Sequence, residues 1–303
     1  MVLKAKYRGF MAPVFTPFTS DGQLNLNEIP KYANYLSSKN VKAILVNGTV
    51  GEGALMNTDE RKKVTEAWIE AAKITGHHIM VHIGSTNLNN VIKLAKHAES
   101  LQVDSILCLP DMFFRPTIIK ELIDYLKIVS AAAPKTPLFY YNYPALTGVN
   151  LDMVKFLESA YSEIPTLAGL KYTHNNLDEG IRCVQLHDGA YTIYLGNDQL
   201  ISAGLCVGFD NFILTTLNFA SEEIFKIKEQ IAVGAIENAK QIQRRITDLA
   251  YFVIEEMQWI NGFKTINSLI TGINLGQPRP PLNALTSQQL EKLKTELKKK
   301  NWT

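Results

Sequence analysis

A lysine that ends a short apolar run is the first group in this chain suited to covalent chemistry. Lys171 closes the run Thr166-Leu167-Ala168-Gly169-Leu170. Strand alternation sets Gly169, Lys171 and Thr173 on one face, with Gly169 leaving room beside the lysine. Burial penalises the ammonium, so such a side chain would present a neutral amine able to attack a carbonyl. The plainer reading is a solvated lysine at a strand end. The preceding apolar run ends in Tyr140-Tyr141-Asn142-Tyr143-Pro144. Alternation sends one of the paired tyrosines inward, where a phenol beside an imine-forming lysine can carry a proton. The alternative is a core aromatic whose hydroxyl meets the backbone. A third segment, Asn47-Gly48-Thr49-Val50-Gly51-Glu52-Gly53, has glycines that let backbone amides converge and, with a hydroxyl, hold a carboxylate. It also reads as an ordinary tight connection. The histidines show no zinc-ligand spacing. His77 and His78 precede a strand and are expected in solvent, and His174, near the lysine, is placed to contact a substrate but reads first as a surface residue.

These groups need a frame. Apolar runs recur at 9–15, 43–47, 79–84, 105–109, 138–142, 166–171, 192–196 and 211–216. Each is short and rich in β-branched or aromatic residues, as parallel strands covered on both faces require. Amphipathic stretches at 59–74, 88–100, 118–132 and 151–161 alternate with them, the first with Thr58 as its expected N-cap and acidic residues in its first turn. Eight strand–helix units in succession predict an α/β fold, a closed (β/α)8 TIM barrel with a C-terminal helical extension. The alternative, a doubly wound open sheet, should carry a GxGxxG turn after an early strand, and none is present. Helical patterns continue at 221–233, 235–258, 263–271 and 287–299, with a break at Gly276-Gln277-Pro278-Arg279-Pro280-Pro281. The expected organisation is a barrel over 1–233 and a helical appendage of the same domain over 234–303. In such barrels, active groups sit at the C-terminal ends of strands and on the loops that follow.

Composition narrows the function classes. Lysine plus arginine number 31 against 29 aspartate plus glutamate, which argues against a nucleic-acid or acidic-membrane partner. The basic stretch Lys298-Lys299-Lys300 reads as a solvated helix end. Cys108, Cys183 and Cys206 are odd in number and lack CxxC spacing, so neither a disulfide scaffold nor a cysteine zinc site is expected. With no apolar segment suited to a leader or a membrane span, the expectation is a soluble cytoplasmic protein.

Taken together, these segments resemble the dihydrodipicolinate synthase and N-acetylneuraminate lyase family of class I aldolases. The resemblance rests on Gly9 with Thr16-Pro17-Phe18 and Asp21-Gly22, then Gly48-Thr49-Val50-Gly51-Glu52. It continues through Tyr140-Tyr141-Asn142-Tyr143-Pro144-Ala145-Leu146-Thr147-Gly148 and Gly169-Leu170-Lys171-Tyr172-Thr173, in the family's order. Ala145-Leu146 is similar to the sialic acid lyases. The synthases carry an arginine at the position of Leu146 and a tyrosine shared across a dimer in the region of Asp111-Met112-Phe113-Phe114. The resemblance implies cleavage of N-acetylneuraminate to N-acetylmannosamine and pyruvate. By it, Lys171 forms the Schiff base, and Tyr141, aided by Thr49, takes the proton from the C4 hydroxyl. The amides of Thr49 and Val50 hold the carboxylate, and Thr173, Gly196, Asp198, Gln199 and Thr215 lie along the sugar. No metal or organic cofactor is implied, and a homotetramer is.

The sequence departs from that pattern at four places. Val50 stands where a second hydroxyl is usual, and Gln199 replaces a glutamate. Asn211-Phe212-Ile213-Leu214 fills a glycine-rich stretch, where its side chains would narrow the pocket. Thr215 replaces a serine. These departures keep two other readings open: an aldolase for another 2-keto-3-deoxy sugar acid, and a catalytically weak paralogue that binds a keto acid or sugar.

Overall fold

The computed structural model describes residues 3–302. Eight parallel strands close on themselves in sequence order: β1 (Phe10–Pro13), β2 (Ala43–Val46), β3 (His78–His82), β4 (Ser105–Cys108), β5 (Leu138–Asn142), β6 (Leu167–Tyr172), β7 (Thr192–Leu195) and β8 (Asn211–Ile213). All of β1, β2 and β4–β8 are buried along their whole length, which is why the sequence shows continuous apolar runs there. The helices follow in order: α1 (Ile29–Ser38), α2 (Thr58–Thr75), α3 (Leu88–Ser100), α4 (Ile119–Ala132), the single turn α5 (Pro144–Thr147), α6 (Met153–Ala160), α7 (Leu177–Gln185), α8 (Ile201–Val207), α9 (Ser221–Ala232), α10 (Ile236–Glu256), α11 (Trp259–Thr271) and α12 (Ser287–Lys299). No helix among the described residues is long and apolar enough to cross a membrane.

Each strand sends alternate side chains to two cores. Met11, Leu45, Met80, Leu107, Phe139, Ala168, Tyr194 and Ile213 fill the barrel interior. Ile44, Val46, Ile79, Val81, Ile106, Tyr140, Leu170 and Ile193 face the helices. Burial of one such side chain is worth roughly 1.5–3 kcal/mol, so the two layers dominate stability. On the helix side the stripes have helical spacing: Val91, Leu94, Ala95 and Ala98 on α3, and Ala239, Ile246, Leu249, Ala250 and Val253 on α10. The cap of α2 lies one residue before the expected Thr58. Asn57 accepts the Glu60 amide while the Glu60 carboxylate takes the Asn57 amide, and Thr58 is already helical.

The beginning of β6 breaks the two-residue rhythm. Leu138 pairs with Leu167 but Phe139 pairs with Gly169, so Ala168 is an extra residue on β6, and it points into the interior. Gly169, at φ 154°, is pressed against β7, where a Cβ would collide with the Thr192 carbonyl. The alternation-based role for Gly169 is therefore wrong: it clears the neighbouring backbone and makes no room for the lysine.

Past α9 the chain folds back onto the C-terminal face of the barrel. The 272–286 connection, expected as a simple break, straps that face: the Phe18 amide donates to Leu275 O (3.0 Å), and Arg279 donates to Gly22 O (2.8 Å).

Candidate active site

Lys171 and Tyr141 are register partners on β6 and β5, at the C-terminal end of the barrel. Lys171 is 5 % exposed, and its Nζ stands 4.1 Å from the centroid of the Tyr141 ring. Tyr141 is the inward member of the tyrosine pair. Tyr140 faces the helices and packs on Phe156, ring centroids 5.4 Å apart. Room for the lysine comes from Gly196 after β7, where a Cβ would collide with the Thr173 hydroxyl and touch Lys171 Cε. The backbone ladder continues past the strands, with Thr173 N donating to Asn142 O (2.9 Å) and Gly196 N to Tyr172 O (2.9 Å). That rigid continuation sets Thr173 and Gly196 beside the lysine.

Thr49 brings its Oγ1 to 3.4 Å from the Tyr141 hydroxyl. Its turn is shaped by two residues with left-handed backbones, Asn47 (φ 59°) and Glu52 (φ 55°). Asparagine tolerates that conformation. Here its side chain is also tied down, Nδ2 donating to Arg61 O (3.0 Å) and Thr65 Oγ1 (3.1 Å). Gly53 follows because a Cβ there would collide with the Asn47 carbonyl. Neither the Thr49 nor the Val50 amide has an acceptor among the described residues, so both remain free to bind an anion. Behind the turn, buried Arg61 donates to His82 O (2.6 Å) and Gly84 O (2.8 Å). His82 meets the Tyr141 ring edge-on at 6.2 Å. Burial, together with the Arg61 and Lys171 charges, holds His82 well below the usual imidazole range, hence neutral.

Thr49, Val50, Tyr141, Lys171, Thr173, Gly196, Asp198, Gln199 and Thr215 all line one cavity of about 430 Å³. Its far side is looser. Asn197 Nδ2 donates to Asn175 Oδ1 (2.8 Å), and Asn197 Oδ1 accepts the Gln199 amide (3.0 Å). Asp198 is buried. Its Oδ1 accepts both the Thr216 amide (2.8 Å) and hydroxyl (2.5 Å), while among the described residues Oδ2 takes only the Thr215 amide at 3.2 Å. Burial raises its pKa against these hydrogen bonds. Oδ2 thus keeps acceptor capacity toward the cavity. The Thr173 hydroxyl is buried without a partner among the described residues. From α10, Gln243 Nε2 donates to Asp198 O (2.9 Å) and its Oε1 takes the Ser202 amide (2.9 Å), bracing this turn.

Several sequence expectations are corrected here. His174 is half-buried, lines the cavity and meets the Tyr172 hydroxyl at 3.2 Å, which fits the substrate-contact alternative better than a surface role. Phe212 and Leu214 do not narrow the pocket. They pack outward, Phe212 stacking on Phe10 at 5.1 Å, and Ile213 is the β8 residue on the cavity wall. His77 is buried rather than solvated, and His78 is partly covered. Sequence reasoning missed Tyr143, Asn175, Asn197, Ile254 and Trp259 as lining residues. Tyr143 and the asparagines adjoin motifs already singled out. Ile254 and Trp259 reach the site only through tertiary packing.

A profile of the Dihydrodipicolinate synthetase family matches residues 6–300. N-acetylneuraminate lyase of Mus musculus is 32 % identical over 297 residues, 97 % of this chain and 93 % of that protein. Among solved structures, Proteus mirabilis N-acetylneuraminate lyase superposes with a TM-score of 0.94 at 30 % identity, over 98 % of this chain and all of the other. The native N-acetylneuraminate lyase (sialic acid aldolase) of Aliivibrio salmonicida gives 0.93 at 31 %, over 98 % of each chain. With a lysine and a tyrosine stacked at the base of a barrel pocket and a match along nearly its whole length, the chain belongs to the dihydrodipicolinate synthetase family.

Proposed function

We propose that this protein is a carbon–carbon lyase that cleaves N-acetylneuraminate to N-acetylmannosamine and pyruvate through a Schiff base on Lys171. The observation that carries this reading is the Lys171 Nζ held 4.1 Å from the Tyr141 ring, in a cavity also lined by Thr49 and Val50, whose amides have no acceptor among the described residues. The lysine amine adds to the C2 ketone, and loss of water gives an iminium. Tyr141, with Thr49 beside its hydroxyl, takes the C4 hydroxyl proton as the C3–C4 bond breaks. The electron pair moves into the iminium, the aldehyde sugar leaves, and the resulting enamine is protonated and hydrolysed to pyruvate. The amides of Thr49 and Val50 hold the carboxylate. Thr173, Gly196, Asp198, Gln199 and Thr215 contact the sugar, with His174 as an added contact. The reaction draws its electron sink from the lysine itself and calls for no metal or organic cofactor.

Borohydride reduction in the presence of pyruvate, followed by peptide mass spectrometry, tests the mechanism. A pyruvyl mass on Lys171 is expected, and a label on another lysine, or none, would overturn it. A second reading, an aldolase for another 2-keto-3-deoxy sugar acid, is favoured by Gln199, which leaves an uncharged amide where the sugar tail would lie. A turnover screen over sialic acids and shorter deoxy-keto acids separates the two, and activity on none would favour a weak, ligand-binding paralogue. We further infer a cytoplasmic homotetramer. Three unpaired cysteines support the compartment, and the exposed Phe113, Phe114 and Leu146 support a covering partner copy.

A further inference from the structure

Glu52 ends the turn that carries Thr49 and Val50. Its backbone is left-handed (φ 55°, ψ 31°), a conformation that a residue other than glycine holds only when its surroundings fix it. Its amide donates to Thr49 O (3.1 Å) and so closes the turn. Its carboxylate is held from the far end of the chain. Oε1 takes Lys264 Nζ of α11 at 2.6 Å, with neither side chain exposed, and Oε2 takes the Arg279 amide of the strap at 2.8 Å. Lys264 and Arg279 both lie against the Phe18 ring, 4.3 and 4.4 Å from its centroid. Arg279 then grips Glu60 on α2 through Nη2 at 2.6 Å and Nη1 at 3.0 Å.

An ion pair buried this completely is a poor source of stability, because taking two charges out of water offsets most of their attraction. An apolar pair of similar volume would stabilise the fold as well. What the pair supplies is direction: two bonds at fixed angles on a residue whose backbone decides where the Thr49 and Val50 amides point. We propose that Lys264 is a positioning residue for the keto-acid carboxylate, acting through Glu52 to fix the amide-bearing turn. The inference deepens the Schiff-base reading and rests on it. By it, the C-terminal helices take part in recognising the acid end of the substrate from outside the pocket.

The test is the pyruvate concentration that half-saturates borohydride trapping at Lys171. The double variant Glu52→Gln/Lys264→Met removes both charges at nearly constant volume, so the fold is expected to survive with a Tm close to that of the unmodified protein. Its half-saturating pyruvate concentration should rise about ten-fold, the size of losing well-aimed bonds to a charged group, while the limiting trapping rate is kept. Leu293→Ala, a cavity under α12 at a residue with no hydrogen bond to the turn, should lower the Tm and leave half-saturation unmoved. Unchanged half-saturation in the double variant overturns the positioning role. Should that variant not fold, Arg279→Gln, whose side chain reaches solvent, loosens the strap that supplies the Glu52 Oε2 bond. A clear rise in half-saturation is expected there too, and none overturns the proposal. Absence of trapping in the unmodified protein is a different result, because it removes the Schiff-base reading itself.

Discussion

The two ends of the pocket are built differently. The keto-acid end stands on strands: Lys171 and Tyr141 are ladder partners, and both are almost fully buried. The sugar end stands on loops. Asn175, Asn197 and Gln199 bond to one another and are partly or well exposed, while Ile254 and Trp259 arrive from the C-terminal helices. A strand fixes a side chain through hydrogen bonds on both sides, whereas a loop leaves it free to vary. Of the departures from the family pattern, Val50 lies on the acid turn, Gln199, Thr215 and Ile213 line the remainder of the cavity, and Phe212 and Leu214 pack outward. On the Schiff-base mechanism proposed above, chemistry falls to the rigid wall and selectivity to the adaptable one.

The largest expected effect falls on the rigid wall. Lys171→Met should abolish both turnover and the trapped adduct, read by mass spectrometry, since no other amine takes its place. Tyr141→Phe should slow cleavage by about 10²–10⁴-fold and leave pyruvate trapping nearly intact. Tyr140→Phe, which alters only the helix-facing side, should change cleavage little. A large effect at Tyr140 with none at Tyr141 would break the comparison. Val50→Thr sits at the boundary: restoring a hydroxyl beside the carboxylate should tighten pyruvate by up to about ten-fold, measured as half-saturation of trapping. Gln199→Glu, on the loop wall, should change only substrate preference, by less than about five-fold, because a partly solvated charge is screened. Improvement on N-acetylneuraminate but not on a shorter 2-keto-3-deoxy acid would confine that residue to the sugar tail.

A control lies at the other end of the barrel, away from both walls. Burial pushes the His77 imidazole down to about 4, with the Lys42 charge adding to the effect. The unfolded chain, with an ordinary histidine near 6.5, takes up the proton first as the pH falls. Stability is therefore lost progressively from about pH 6.5 toward pH 4 and levels off once the folded protein is protonated too. His77→Asn should flatten that acid limb by an amount on the order of 1–2 kcal/mol in urea titrations. Half-saturation by pyruvate at pH 7.5 should not move.

The strands are legible because a sheet covered on both faces demands unbroken apolar runs, and these chain segments contain little else. Tyr141 and Lys171 are legible for the same reason, since their apolar runs fix where the strands end. Position within the alternation is not. Ala168 is one residue too many on β6, and although a glycine inside a strand run such as Gly169 marks a bulge or a close backbone approach, it does not say which neighbour is the extra one. Counting by twos therefore assigns the lysine's space to Gly169, whereas it comes from Gly196 just past the next strand. The residues that reach the site from afar are equally silent. Nothing in its own segment sets Lys264 apart, and only packing brings it to Glu52, 212 positions earlier. His77 follows the same logic: its neighbours are polar, and its burial is set by the fold.

Closure of the barrel also bears on how the chain reaches this state. β1 pairs with β2 on one side and with β8 on the other, Phe10 opposite Phe212 and Met11 opposite Ile213. During synthesis the first strand is made long before its second partner, so for most of translation it is a sheet edge with unmade hydrogen bonds. Joining contacts so distant along the chain carries a large loop-closure entropy and slows folding. An unclosed barrel would expose two edges able to recruit other chains, a hazard that ends only when β8 docks. The bond from the Gly9 amide to Asn211 Oδ1, 2.8 Å long, sits at that seam. Weakening it should slow refolding and favour aggregation in dilution experiments well before it changes any rate of catalysis.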